Sequence, residues 1–532
     1  MERSPPYATR MPEGWWTSRW FALALVLLSA VPLLWPGVAP LIDLPGHMAR
    51  YRVELGIGTS PALGQYYAFK WALMGNLGID LLVVPLAPLF GLEPAVKLIL
   101  ISIPVMTTAG LLLIAREEHG ALPPTAAFAL PLAYGFPFQF GFVNFTLSMG
   151  FALLGFGLWL RLGRQGRRGL RAILFVPIGA IVWLAHGSGW GVLGLLVFAS
   201  EMVRQRVGDQ GLIPAGFRAG LASLPLAPPL LLMIAWRSGN VAGFTGDWFN
   251  WASKLVWIVT VLRDRWVVFD VACTFLLLVL VIAAFIRRGG LTTNWTLRIA
   301  TLMLVLAYAL LPRILLGSAY ADMRLVSYIV AVAVIAIRPT TLSPRTIRMV
   351  AVAATTFFLV RTAATTISFA HYWSRNATQL QALDHVAPGS RVLALTEKPC
   401  AMPWQLSRMD HLGGMAVVRR DVFINDNWTM AGAQLMRLRY RAGAFSEDPS
   451  QMVEAPECRY RGRRNLADAV RDFPRDRFDY VWLIDGKPAN VPAMLDLRMI
   501  WRSPTGALYR VVAGSATIAS DTPNGSVLRP TQ

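Results

Sequence analysis

The sequence predicts a membrane all-α fold of about eleven transmembrane helices with one re-entrant or juxtamembrane segment, followed by a small C-terminal soluble α/β domain. Three observations carry that prediction. Of 532 residues, 55% are hydrophobic and only 15% charged, and the mean hydropathy of +0.48 lies outside the range of ordinary soluble domains. Apolar runs long enough to cross a ~30 Å hydrocarbon layer alternate with short polar breaks from Phe21 to about Arg361. From Arg375 onward, charges of both signs become frequent and the apolar runs shorten to strand length.

Residues 1–18 are polar and basic, and the run that follows lacks a small-residue cleavage site, so it reads as a retained first helix with a cytoplasmic N-terminus. Hydropathy predicts spans at 19–37, 95–115, 121–138, 142–160, 170–186, 189–203, 218–235, 269–286, 297–316, 323–338 and 346–362. The stretch "GIDLLVVPLAPLF" at 78–90 is short, carries Asp80 and is interrupted by Pro85 and Pro88, which favours a re-entrant or interfacial segment. Charge decides the count. With 78–90 left out, the basic stretches at the N-terminus, 161–171, 203–218, 287–298 and 338–348 all fall on the cytoplasmic side. The same positions account for the formal charge of +20, so the basic balance reports topology and no nucleic-acid partner is expected.

The implied organisation is a polytopic domain at 19–365 with a first extracytoplasmic loop at 38–94, an extracytoplasmic α/β domain at 366–514, and a disordered tail at 515–532. In the α/β part, "SRVLAL", "FDYVWLI" and "GALYRVV" read as strands, and "TQLQALDHV" and "NLADAVRDF" as helices. Three cysteines are too few for a disulfide framework or a zinc cluster. Cys273 lies in a span. Cys400 and Cys458 would be free to pair or to stay reduced, depending on the compartment.

The chemistry-bearing stretch is "LIDLPGHMARYRVEL", which begins at Leu41. On a helix Asp43, His47, Arg50 and Glu54 form one polar stripe, and Leu44, Met48, Tyr51 and Leu55 an apolar one. A helix lying on the outer membrane face would bury the second stripe and turn the first toward a cavity. Simple capping is the competing reading, with Asp43 as N-cap ahead of Pro45. On the same side, "AYADMRL" places Asp322 and Arg324 at the mouth of a span, "VLRDRW" carries Arg263, Asp264 and Arg265, and His186 ends another. Each also reads as an ion pair, an interface anchor or a snorkelling cation. Trp248, Trp251, Trp257 and Trp266 ring this face.

A charged amphipathic segment directly after the first span, with an acid near its start, resembles the membrane-embedded glycosyltransferases of the GT-C class. Protein O-mannosyltransferases, the aminoarabinose transferases of lipid A and many uncharacterised bacterial membrane proteins are similar in plan. The residues that carry the resemblance are Asp43-Leu44-Pro45, His47 and Ala49-Arg50, with Ala321-Asp322 and Arg324-Leu325 near a late span. A single acid stands where the O-mannosyltransferases carry an adjacent pair. The resemblance implies transfer of a sugar from a polyprenyl-phosphate-linked donor to a lipid, glycan or protein acceptor, with inversion, at a bacterial inner membrane. It implies Asp43 as catalytic base, and beside it His47 or Arg50 would orient the acceptor. Arg50, His186, Arg263, Arg265, Asp322 and Arg324 would line the substrate and donor site, with Arg324 and Arg263 or Arg265 on the phosphate. No cofactor is expected; Glu117, Glu118 and His119 fall on the cytoplasmic side and are not taken as metal ligands. Membrane lipid is the remaining partner. A transporter or lipid flippase, or a non-catalytic envelope assembly protein using "RYRGRR" at 459–464 as an anionic-ligand patch, are the alternatives.

Overall fold

The computed structural model describes residues 13–206, 211–237, 244–401, 403–429, 434–455, 457–458 and 463–512. The expected tail at 515–532, residues 1–12 of the N-terminal segment and positions 459–462 of the "RYRGRR" run lie outside the described residues.

Ser18 accepts from the Trp20 amide and starts α1 (Arg19–Leu28), which continues through a break ahead of Pro32 into α2 (Val31–Leu34). The loop that follows holds α3 (Leu44–Gly56), α4 (Pro61–Tyr66), β1 (Tyr67–Phe69) and α5 (Gly78–Phe90). The helical domain then runs through α6 (Leu92–His119), α7 (Phe136–Phe140), α8 (Val143–Arg164), α9 (Arg168–Ala185), α10 (Gly187–Gln205), α11 (Leu212–Ser223), α12 (Pro229–Arg237), α13 (Trp251–Val259) and α14 (Val267–Phe285). It closes with β2 (Leu291–Thr293), α15 (Trp295–Leu310), α16 (Met323–Ile335), β3 (Ile337–Pro339) and α17 (Pro344–Leu380).

Among the described residues, helices α6, α8, α9, α14 and α17 with its following turn are the five that are long and apolar enough to cross a membrane, and shorter apolar helices accompany them. The chain is a multi-pass membrane protein. Phe275 and Ile282 of α14, Leu302 and Leu306 of α15 and Ile367 of α17 remain exposed, as lipid-facing side chains must. Every residue of α16 is buried, so that helix forms the centre of the bundle.

Besides the break between α1 and α2 in the 19–37 run, two predicted spans take other forms. The 121–138 run, with Pro123, Pro124, Pro131 and Pro137, forms a wholly buried 3-10 segment at Ala126–Tyr134 followed by α7. Proline removes the donors that α-helical pairing needs, and the tighter winding rises ~2.0 Å per residue, so few residues still cover much depth. The 218–235 run breaks at Leu224–Leu226, beside Pro225, Pro228 and Pro229, into α11 and α12.

The basic connections gather at one end of the bundle. β2 pairs antiparallel with β3, Asn294 donates to the Glu118 carbonyl, Arg164 pairs with Glu117, and Arg171 and Arg204 share Glu201.

At the opposite end sits the α/β domain. Its seven-stranded mixed sheet has the order β10 (Leu497–Ser503), β11 (Gly506–Val511), β9 (Tyr480–Ile484), β4 (Arg391–Lys398), β7 (Met452–Glu454), β8 (Arg464–Asn465), with β5 (Phe423–Ile424) also on β4. The pairs β4–β9, β4–β7, β4–β5 and β7–β8 are parallel, and β9–β11 and β10–β11 antiparallel. The central strands are buried almost throughout, which is why β9 reads as the unbroken apolar run "YVWLI". Helices α18 (Gly414–Arg420) and α19 (Leu466–Asp472) cover it. Cys400 and Cys458 form a disulfide.

The first loop and this domain interlace. β1 pairs antiparallel with β6 (Met436–Leu438). Arg52 of α3 grips Asp421 with two bonds of 2.7 and 2.8 Å, and Tyr67 donates to the Val422 carbonyl at 3.0 Å. The expected interfacial helix with one wet and one lipid-facing stripe is therefore corrected. Ten of the thirteen residues of α3 are buried, because the helix is enclosed between α5 and α6 on one side and α18 on the other.

Candidate functional site

Between Val38 and Tyr51 every residue is buried except Asp43 and His47. The chain reaches this point because the Asp43 amide donates to the Phe140 carbonyl at 2.9 Å, where the backbone reverses at Gly141 with φ +101°. A Cβ at Gly141 would stand 2.8 Å from the Asp43 nitrogen, so both the turn and the contact require glycine. Asp43 occupies the N-cap position of α3, yet its carboxylate accepts no capping bond. The side chain, 15% exposed, is left for another partner.

That partner comes from the α/β domain. His411 Nε2 lies 3.9 Å from Asp43 Oδ1, and His411 Nδ1 donates to Asp426 Oδ1 at 2.8 Å. The Trp428 ring meets both histidines edge-on, with centroids 5.3 Å from His47 and 4.6 Å from His411. His47 bonds the Gly141 carbonyl, and its Nδ1 is buried without a partner.

Burial raises the Asp43 carboxyl to about 7, against the pull of His411 and Arg324 and with a further push from Asp410 and Asp448. Burial works against a charge on His411, but Asp426, Asp43 and Asp448 outweigh it and hold the imidazole up at about 10. Asp426 is lifted by burial to about 6 and held there by His411. Burial drives His47 well below an ordinary imidazole, with the charges of Arg50, His411 and Arg324 acting in the same direction. Near neutral pH the group is thus a carboxylate poised to take or give a proton beside a charged imidazole and a neutral one.

Arg324 approaches from the start of α16. Its Nη2 donates to Ser318 Oγ at 2.8 Å and to the Ala319 carbonyl at 3.0 Å, and the guanidinium lies 4.0 Å from the Phe142 ring centre. Nη1 stands 3.3 Å from His186 Nε2. His186 Nδ1 accepts from the Ser188 amide at 3.1 Å, which puts the proton of a neutral ring on Nε2. Two donors therefore face one place, an arrangement that an anion satisfies. Arg324 Nε is buried without a bond. Phe140, Phe142, Trp257 and Tyr320, all partly buried, stack in an aromatic cluster beside it.

Of the residues singled out in the sequence, Asp43, His47, His186 and Arg324 belong to this neighbourhood, and the others are engaged elsewhere. Arg50 is 2% exposed and locked to Asp80, Nε to Oδ1 and Nη2 to Oδ2 both at 2.9 Å, with Asn144 holding the same carboxylate. Asp322 caps α16 through the Met323 amide and pairs with buried Lys254. Arg263 donates to the Pro403 and Trp404 carbonyls. Arg265 lies over Trp266 and Tyr372. Among the described residues, no three His, Cys, Asp or Glu side chains group in a way that could hold a metal ion.

The residues absent from the sequence reading are His411, Asp426, Trp428 and Arg408. Arg408 is fully buried and ties the stretch before α18 to the membrane domain through Gln139 and Asp264, each at 2.7 Å, and the Pro40 carbonyl. The polar run Asn425-Asp426-Asn427-Trp428 after β5 is the one local trace, and it reads equally well as a turn.

No family model matches the sequence, and no curated protein matches it. Among solved structures the chain is similar to ArnT from Cupriavidus metallidurans in the apo state, at 13% identity over 92% of this chain and 96% of that one, with a TM-score of 0.49.

Proposed function

We propose that this protein is a membrane glycosyltransferase that moves a sugar from a polyprenyl-phosphate-linked donor to an acceptor hydroxyl on the extracytoplasmic side, with inversion at the sugar carbon. The observation that carries the reading is Asp43. It is a carboxylate at a helix start that caps nothing, stays partly exposed in an otherwise buried loop, and feels both Arg324 and His411.

In the proposed step the acceptor oxygen attacks the sugar carbon and its proton passes to Asp43, while the carbon–oxygen bond to phosphate breaks and the phosphate leaves on its lipid with the bonding pair. Arg324 and the Nε2 proton of His186 meet the charge that develops on that phosphate. The aromatic cluster around Phe142 and Trp257 offers the carrier an apolar surface beside Arg324. Extracytoplasmic placement is supported by the gathering of basic connections at the other end of the bundle and by the Cys400–Cys458 disulfide in the α/β domain.

Asp43→Asn keeps the size and removes the base, so transfer should fall by ~10²- to 10⁴-fold. The measurement is transfer of radiolabel from a panel of undecaprenyl-phosphate-linked hexoses and pentoses by purified protein in lipid nanodiscs. A variant as fast as the parent ends the assignment of Asp43. Release of free carrier only when acceptor is added separates transfer from mere lipid transport.

A further inference from the structure

The sequence offers His47 as the histidine that works with Asp43, but the geometry points elsewhere. His47 shares a helix with Asp43, bonds a backbone carbonyl and is kept neutral by its surroundings. His411 has one nitrogen fixed by Asp426 at 2.8 Å and turns the other toward Asp43 across a 3.9 Å gap.

We propose that His411, oriented by Asp426, is a positioning residue that holds the buried Asp43 carboxylate ionised and aimed, so that the α/β domain completes a site whose base belongs to the membrane domain. This inference rests on the reading of Asp43 as the base.

The argument is electrostatic and geometric. Asp43 is buried, and burial alone favours its neutral acid. Asp410 and Asp448 face it with like charge and push the same way. Opposing them are two cations, His411 from the stretch ahead of α18 and Arg324 from α16, of which His411 acts more strongly. Arg324 is already bonded to Ser318 and Ala319, whereas His411 has one nitrogen free for Asp43. The charge on His411 is in turn maintained by Asp426, Asp43 and Asp448. Lys398 pairs with Asp410 and dilutes its repulsion. Trp428 closes over the imidazole and leaves His411 only 7% exposed, so water screens these charges weakly.

The test needs no substrate. Dicyclohexylcarbodiimide reacts with a carboxyl only in its protonated form, so labelling of Asp43 against pH, mapped by peptide mass spectrometry on the full-length protein in nanodiscs, reads its ionisation directly. In the parent the midpoint is expected near pH 7. His411→Gln removes the charge, so the acid persists to higher pH and the midpoint rises by about one unit or more, a tenfold change in the protonated fraction above it. His411→Lys restores a cation and returns the midpoint toward that of the parent. Asp426→Asn, which weakens the charge on His411, gives a smaller rise in the same direction. Glu54, whose ionisation is set by burial, Asp80 and Arg50, serves as an internal control that should not move.

A midpoint unchanged in both His411→Gln and Asp426→Asn overturns the proposal. So does a rise in His411→Lys equal to that in His411→Gln, since that is the mark of a packing role. The outcome is independent of the transfer assay. Asp43→Asn with full transfer activity removes Asp43 as the base whatever the labelling shows, and unmoved labelling beside an inactive Asp43→Asn removes only the part given to His411.

Discussion

An aspartate just before a helix ordinarily accepts a bond from the first turn, and Asp322 does so, taking the Met323 amide and pairing with Lys254. Asp43 stands in the same position before α3 and makes no such bond. The sequence offers capping for Asp43 and an ion pair or interface anchor for Asp322, and in the structure it is Asp322 that caps. The arginines divide in the same way. Arg50 is neutralised by Asp80, thirty residues further on, a pairing no local pattern announces, while Arg324 keeps Nε unpaired and Nη1 facing His186. Arg324→Gln should therefore weaken binding of undecaprenyl phosphate. A charge-assisted bond worth ~1.5–3 kcal/mol corresponds to about 10- to 150-fold in Kd, read by titrating the lipid into protein-loaded nanodiscs. Undiminished affinity would take Arg324 out of the phosphate site.

At the scale of elements, the decisive contact is α18 against α3. A Cβ on Gly414 would stand 2.5 Å from the Pro45 carbonyl oxygen and 3.0 Å from the Gly46 nitrogen, so the two backbones touch without side chains between them. Gly414→Ala should lower stability by ~1–3 kcal/mol through overpacking and raise the Asp43 labelling midpoint as His411 is pushed away. Gly58→Ala, where a Cβ meets nothing within 4 Å, is the matched control. Thermal unfolding of both variants decides the stability arm, and equal melting would show that the contact yields freely. Most elements were legible in advance. The runs that became α6, α8, α9 and α14 are long and uniformly apolar, and the strand runs at β4, β9 and β11 stood out against their turns. What hydropathy could not register was proline's effect inside 126–134 and 224–229, since a window average counts proline as neither donor nor kink.

For the whole molecule, the disulfide between Cys400 and Cys458 spans 58 positions, and closing a loop of that length is worth ~2–4 kcal/mol. Cys400→Ser with Cys458→Ser should destabilise the α/β domain by about that amount and loosen the stretch that presents Arg408 and His411. Hydrogen exchange over 403–413 measures it, and unchanged protection would confine the bond's role to β7 and beyond. This scale is also where reading the sequence stopped. Asp43 and its helix could be found because Asp43, His47 and Arg50 lie within one short segment. His411 and Asp426 could not, because nothing in a linear pattern says that a strand-bounded domain near the far end of the chain will be threaded through by the first loop.

That threading fixes an order of events during synthesis. Tyr67 has its partner at Val422, 355 residues later, which at ~5–20 residues per second takes on the order of 20 to 70 seconds to emerge from the ribosome. Through that interval the early loop waits beside the bilayer with its acid uncovered and its imidazole not yet made. A stalled or truncated product would span the membrane normally and still lack His411 and Asp426, so the cluster around Asp43 would be complete only in chains extended past Trp428.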